Sequence, residues 1–148
     1  MRLCLQTKVQ QPYNQVFEGF TQELFLSLNP PFPKVRLERF DGCLTGDKVV
    51  IKLWFVFFWQ TWEAYITHHE HLEGQAWLFV DEGAKLPFFL KKWKHHHRMI
   101  AQPDGGSLIV DDVQYHTPGG WLMDCLMYPA LWLQFAYRKP IYRRMFKK

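Results

Sequence analysis

The chain has 148 residues, 48% of them hydrophobic and 18% aromatic, with a formal net charge of +4 and a pI near 9.0. This suits a single domain, residues 1–148, long enough for one good core, and it excludes a disordered chain. Cys4, Cys43 and Cys125 form no C-x-x-C pair, so neither a disulfide framework nor a zinc knuckle is expected, and the thiols read as reduced and cytoplasmic.

The first residues pass into Gln6 and Lys8 too soon for a secretory leader. Leu3, Leu5, Thr7 and Val9 alternate with Arg2, Cys4, Gln6 and Lys8, which predicts a first strand. After Pro12, Val16, Phe17, Phe20, Leu24, Phe25 and Leu28 recur at spacings of three and four, a helical stretch that Gly19 divides in two and the prolines of 29–33 terminate.

Residues 35–40 predict a short strand and residues 47–59 a long one. In the long one, Val49, Ile51, Leu53, Phe55 and Phe57 alternate with a face carrying Lys48 and Lys52. Trp54 and Phe58 fall on that lysine face, either covered by neighbouring loops or open to a dimer contact. Residues 62–69 and 75–82 continue the sheet. The polar run His68, His69, Glu70, His71 and Glu73 between them matches no zinc spacing and reads as a solvated connection. The cluster Leu86-Pro87-Phe88-Phe89-Leu90 reads as an edge or lid piece.

Pro103-Asp104-Gly105-Gly106 is a turn between two runs that can be written as strands, so residues 93–116 predict a β-hairpin. Alternation puts Trp93, His95, His97, Met99 and Ala101 on one face of the first arm. It groups Ile109, Asp111, Val113 and Tyr115 on one face of the second. The segment 121–137 is apolar almost all round, which suggests a helix clasped by a curved sheet; a membrane anchor would be short at this length, and Asp124, Pro129 and Gln134 interrupt it. Pro129 and Pro140 should kink or segment it.

Trp93, His95 and His97, followed by Asp111, Val113, Tyr115, Pro118 and Gly120, resemble the W-x-H-x-H and D-x-V-x-Y-x-x-P-x-G signature of SRPBCC proteins. That helix-grip superfamily includes START lipid-binding domains and polyketide cyclases. The resemblance extends upstream to Trp62-Glu63-Ala64-Tyr65-Ile66-Thr67 and Phe79-Val80-Asp81, and departs at Leu86-Pro87-Phe88, where many relatives have Gly-Pro-Phe. It implies an α+β helix-grip fold: a curved antiparallel sheet around a long C-terminal helix, with two short helices near the N-terminus lying across the sheet opening. One such fold serves many functions.

On this reading the chain encloses an apolar cavity and binds a small hydrophobic or amphipathic ligand without catalysis. Leu53, Phe55, Phe57, Trp77, Phe79, Trp93, Met99, Val113, Leu122 and Leu126 would supply apolar contact, and Asp81, His95, His97, Asp111 and Tyr115 would orient the ligand's polar end. Those polar groups can equally be a self-satisfied network that fixes strand register. The alternative function is a cyclase-like or dehydratase-like enzyme in which His95, His97, Asp111 and Tyr115 are the catalytic candidates. His-x-His with Asp111 is too weak a signal for a metal, and no metal or cofactor is expected.

Arg138, Lys139, Arg143, Arg144, Lys147 and Lys148 end the chain without one acid. They suit a helix C-terminus through the macrodipole. They could also dock on an anionic surface, a membrane or a partner, with nucleic acid not expected. The chain would act as a monomer or homodimer.

Overall fold

The computed structural model describes all 148 residues. β1 (Arg2–Val9) alternates exposed and buried positions, with Leu3, Leu5, Thr7 and Val9 inside. Two short helices follow, α1 (Tyr13–Glu18) and α2 (Gln22–Ser27), the second capped by the Thr21 side chain, which accepts from Leu24 N. The chain then lays down β2 (Lys34–Phe40), β3 (Lys48–Trp54), β4 (Trp59–Leu72), β5 (Ala76–Lys85), β6 (Lys92–Ala101) and β7 (Ser107–His116) before α3 (Gly120–Met145). All seven strands form one antiparallel sheet in the order β1-β7-β6-β5-β4-β3-β2. The expected α+β helix-grip architecture is the one observed. The β6–β7 hairpin turns at Gly105, whose φ of +78° is open to glycine at no steric cost.

Local readings change in three places. The long strand expected over 47–59 is two strands. β3 stops at Trp54, residues 55–58 turn with Phe55 N donating to Phe58 O, and β4 starts at Trp59. Alternation therefore fails beyond Trp54, whose ring meets that of Trp59 at 5.0 Å. Secondly, the expected polar connection over 68–73 is mostly strand, because β4 runs on to Leu72. There His69 Nδ1 accepts from Thr45 N at 2.9 Å and His71 stacks on Trp77 at 4.2 Å.

Thirdly, α3 is one helix of 26 residues that continues through Pro129 and Pro140. It is not clasped on all sides. The sheet covers one face only, and the other leaves Trp121 75% and Leu126 64% exposed. No helix is long and apolar enough to cross a membrane.

The start of α3 is fixed from inside. Buried Asp124 accepts from Thr117 N at 2.6 Å and lies 2.9 Å from His116 Nδ1 and 3.8 Å from the N-terminal ammonium. Its end is fixed by Phe146, whose carbonyl accepts from Gln10 N and Gln11 N. Its ring packs against Gly19, where a Cβ would collide with it.

The core has two parts. One gathers α1 and α2 with Phe79, Met99, Ile109, Ile141, Tyr142 and Phe146; the other joins Leu3, Leu5, Trp93, Val113, Tyr115, Leu131 and Phe135. Along β6, His95 and His97 fall between Trp93 of one and Met99 of the other. Asp111 falls likewise between Ile109 and Val113 on β7. The polar residues occupy the seam.

Candidate functional site

Between α3, α2, the proline segment 30–33 and the inner faces of β2 to β6 lies a largely apolar cavity of about 1210 Å³. Leu53 on β3, Phe55 after it, Phe79 and Asp81 on β5, and Trp93, His95 and His97 on β6 all border it. Strand alternation delivers these side chains to one face.

Other expected lining residues sit elsewhere, for identifiable reasons. Phe57, 88% exposed, is at the tip of the turn that replaces the strand. Trp77 stacks on Phe17 at 4.1 Å, under α1. Met99 and Val113 are fully buried in the two cores. Leu122 and Leu126 face outward; the cavity side of α3 is Met123, Met127, Leu131, Gln134 and Arg138, a spacing of three and four displaced by one position. Tyr115 is buried away from the cavity, its hydroxyl donating to Asp124 O at 2.7 Å, so it braces α3.

Asp111 lies behind the two imidazoles. His95 Nε2 is 3.0 Å from Asp111 Oδ1 and His97 Nε2 is 2.9 Å from Asp81 Oδ2. The crossed distances are longer, 3.4 Å from His95 Nδ1 to Asp81 Oδ2 and 3.5 Å from His97 Nδ1 to Asp111 Oδ1. The imidazole centroids are 3.6 Å apart. Asp81 also accepts from Trp93 Nε1 at 2.9 Å. Each carboxylate thus faces both rings.

Two imidazoles so close, their planes tilted by 38°, cannot both carry a proton cheaply. Burial, reinforced by the charge of His97, pushes His95 down to about 4 despite its carboxylate neighbours. Burial also opposes charge on His97, yet Asp111 and Asp81 outweigh it and raise His97 above an ordinary imidazole. For Asp111 and Asp81, desolvation is likewise outweighed by the imidazoles, and both carboxyls stay below the usual range. The cluster therefore favours two ionised carboxylates, with His97 the imidazole that takes a proton first and His95 the one held neutral.

Arg138 completes the wall. Its guanidinium lies 4.1 Å above the Phe135 ring and supports the ionised form of Asp111. Arg138 Nε, Tyr142 Oη and His97 Nδ1 are buried without a hydrogen-bond partner in the protein. Burial first, and then the charge of Asp111, raises the pKa of Tyr142, and Asp111 also lies beside His97, so these three atoms belong to one neighbourhood.

The sequence assigned Arg138 to the basic tail. The signal that places it in the wall is its spacing of four from Gln134 on the cavity face. Lys139, Arg143, Arg144, Lys147 and Lys148 do belong to the helix end, where Lys148 N donates to Gln10 Oε1 at 2.9 Å and ties the terminus down.

Nitrogen or oxygen atoms of Asp81, His95 and His97 come within 4.8 Å of one another, a donor set that could hold a divalent cation. His95 and His97 also pair with Asp111 and Asp81 through their Nε2 atoms, while His97 Nδ1 is left without a hydrogen-bond partner.

No protein-family profile matches the sequence, and no curated protein sequence does. Solved structures do match. The ZhuI aromatase/cyclase of Streptomyces sp. R1128 aligns over 96% of this chain and 93% of its own, with a TM-score of 0.65 and 11% identity. Norcoclaurine synthase of Thalictrum flavum gives the same coverages and TM-score at 10% identity. The di-domain aromatase/cyclase StfQ of the steffimycin pathway gives a TM-score of 0.68 at 9% identity, over 98% of this chain and 50% of that one. These likenesses, at 9–11% identity, establish the helix-grip fold.

Proposed function

We propose that the protein binds one small amphipathic molecule, its apolar body in the cavity and its polar end against Asp81, His97 and Arg138. The observation that carries this is the distribution of polarity: the cavity is apolar on most sides, while its charged groups meet on one wall. Burying an apolar body there contributes roughly 25 cal/mol per Å² of surface removed from water. The His97 ring and the Arg138 guanidinium carry N–H donors; the Asp81 carboxylate accepts. Such a wall suits a head carrying both a hydroxyl or enol and a carbonyl, more than a bare hydrocarbon.

The test is native mass spectrometry of the purified protein before and after incubation with a lipid extract, followed by organic extraction and identification of what is retained. A stoichiometric amphipathic adduct whose retention His97→Ala and Arg138→Ala both weaken supports the assignment. A wild type that remains empty, with no adduct at any extract concentration, refutes it.

A second reading is an enzyme of the cyclase or dehydratase type on the same wall, and the His97–Asp81 pair at 2.9 Å favours it, because an imidazolium beside a carboxylate can give and take a proton at a bound carbonyl. His97→Ala separates the two: it abolishes turnover of the identified ligand if the protein is an enzyme, and only weakens binding if it is a carrier. Docking through Arg143, Arg144, Lys147 and Lys148 is a third class of function, and it would be indifferent to that substitution.

A further inference from the structure

Antiparallel topology brings four segments to one end of the sheet: residues 30–33 entering β2, 55–58 between β3 and β4, 86–91 between β5 and β6, and 117–119 leading into α3. The first three interlock around the Phe55 ring, which lies 6.1 Å from Phe32, 5.7 Å from Phe58 and 5.9 Å from Phe88. In these segments Phe57 is 88% exposed, Phe88 61% and Phe32 60%, and on α3 Trp121, just after the fourth segment, is 75% and Leu133 66% exposed. Phe32, Phe88 and Leu133 also border the cavity, so the exposed apolar surface reaches its rim.

The turn that presents Phe57 is strained. Val56 has a φ of +65°, a conformation a β-branched residue rarely adopts, and Phe57 N donates to Phe55 O at 2.7 Å. A strained apolar tip held outward is the opposite of what folding alone favours.

Charge identifies what covers it. Exposed Lys34, Lys85, Lys91 and Lys92 border these segments and make no ion pair, while the segments themselves contain no Asp or Glu. The acids next along the strands are engaged, Glu63 by Lys48 at 2.8 Å and Glu82 by Lys94 at 2.9 Å. Aromatic and leucine tips ringed by unpaired lysines match the interface of a bilayer whose headgroups are anionic. They do not match a second copy of this chain, which would bring the same four lysines against each other across a two-fold axis.

We propose that this end of the sheet, with the cavity mouth at its centre, docks on the surface of a bilayer containing anionic lipid. Each buried aromatic tip and each lysine near the surface then contributes to partition, and high salt weakens it. The basic end of α3 lies at the other end of the sheet and is not needed.

Co-sedimentation with vesicles of phosphatidylcholine alone, or mixed with phosphatidylglycerol, tests this at low and high salt. Wild-type protein should bind the mixed vesicles in low salt and not the neutral ones. Phe57→Glu should weaken binding by roughly tenfold or more, and the pair Lys91→Glu and Lys92→Glu by a comparable factor. The pair Arg143→Glu and Arg144→Glu should leave it within about twofold of wild type. All these side chains are exposed, so melting curves should coincide with wild type and confirm folding. The proposal is overturned if folded wild type ignores the mixed vesicles. It is also overturned if the α3-end pair abolishes binding while the other variants retain it, or if Phe57→Glu splits a dimer without changing lipid binding.

Discussion

His97 and His95 stand one position apart on the same strand face, yet titrate in opposite directions, and this sets how the protein should respond to acid. The folded-state value of His95, about 4, lies below the ordinary 6.5, so the unfolded chain takes up the extra proton and stability falls as pH drops from 6.5 towards 4. The full effect is on the order of 3 kcal/mol. His97 works the other way: its contribution is complete below 6.5 and is lost as pH rises through its raised value. The depressed carboxyls of Asp81 and Asp111 stabilise the fold above the unfolded carboxylate range and lose that contribution as pH falls below it. Thermal melts of His95→Asn should therefore lose less stability between pH 6.5 and 4.5 than wild type; an unchanged slope would remove His95 from this role. Alternation along β6 and β7 made His95, His97 and Asp111 legible as one group from the sequence. It could not tell that Asp111 would end up behind the rings, because depth depends on what packs from α3.

At the scale of the element, α3 shows both what the sequence reveals and where it stops. The length of the apolar segment announced a helix touching the core. Its rotation was not readable, since Leu122 and Leu126 are as apolar as Met123 and Met127, and only packing chose between the two faces. The turn at 55–58 was hidden similarly: Phe55, Val56, Phe57 and Phe58 are all good strand formers, and no glycine or proline marks the reversal. At the far end of α3, Phe146 seats against Gly19, with no room for a β-carbon. Gly19→Ala should cost roughly 1–3 kcal/mol in urea unfolding, and the smaller ring-free side chain of Phe146→Leu should recover part of that loss in the double variant. Simple additivity of the two would mean that the contact is not shared.

The whole molecule is a sheet that covers one side of a helix and leaves a large volume between them. Ala130 lies on α3 at the cavity wall and is itself exposed, so Ala130→Trp can obstruct the mouth without opening a void. Retention of an amphipathic ligand in native mass spectrometry should fall by roughly tenfold or more, with the melting temperature little changed. Full retention would place the ligand elsewhere.

An open sheet of this kind also has two margins. α3 packs along β1, whereas β2 pairs only with β3 and no strand pairs with its other side. That strand carries exposed Lys34, Arg36 and Arg39, and its register with β3 shifts between Leu37 and Arg39. Charge and irregularity on a free strand prevent other chains from adding to it. Replacing Arg36 and Arg39 by valine should turn this margin into a self-templating edge, with polymers detected by light scattering while the cavity still fills. The strand that helps shape the cavity would then also be the one that guards the sheet against self-pairing.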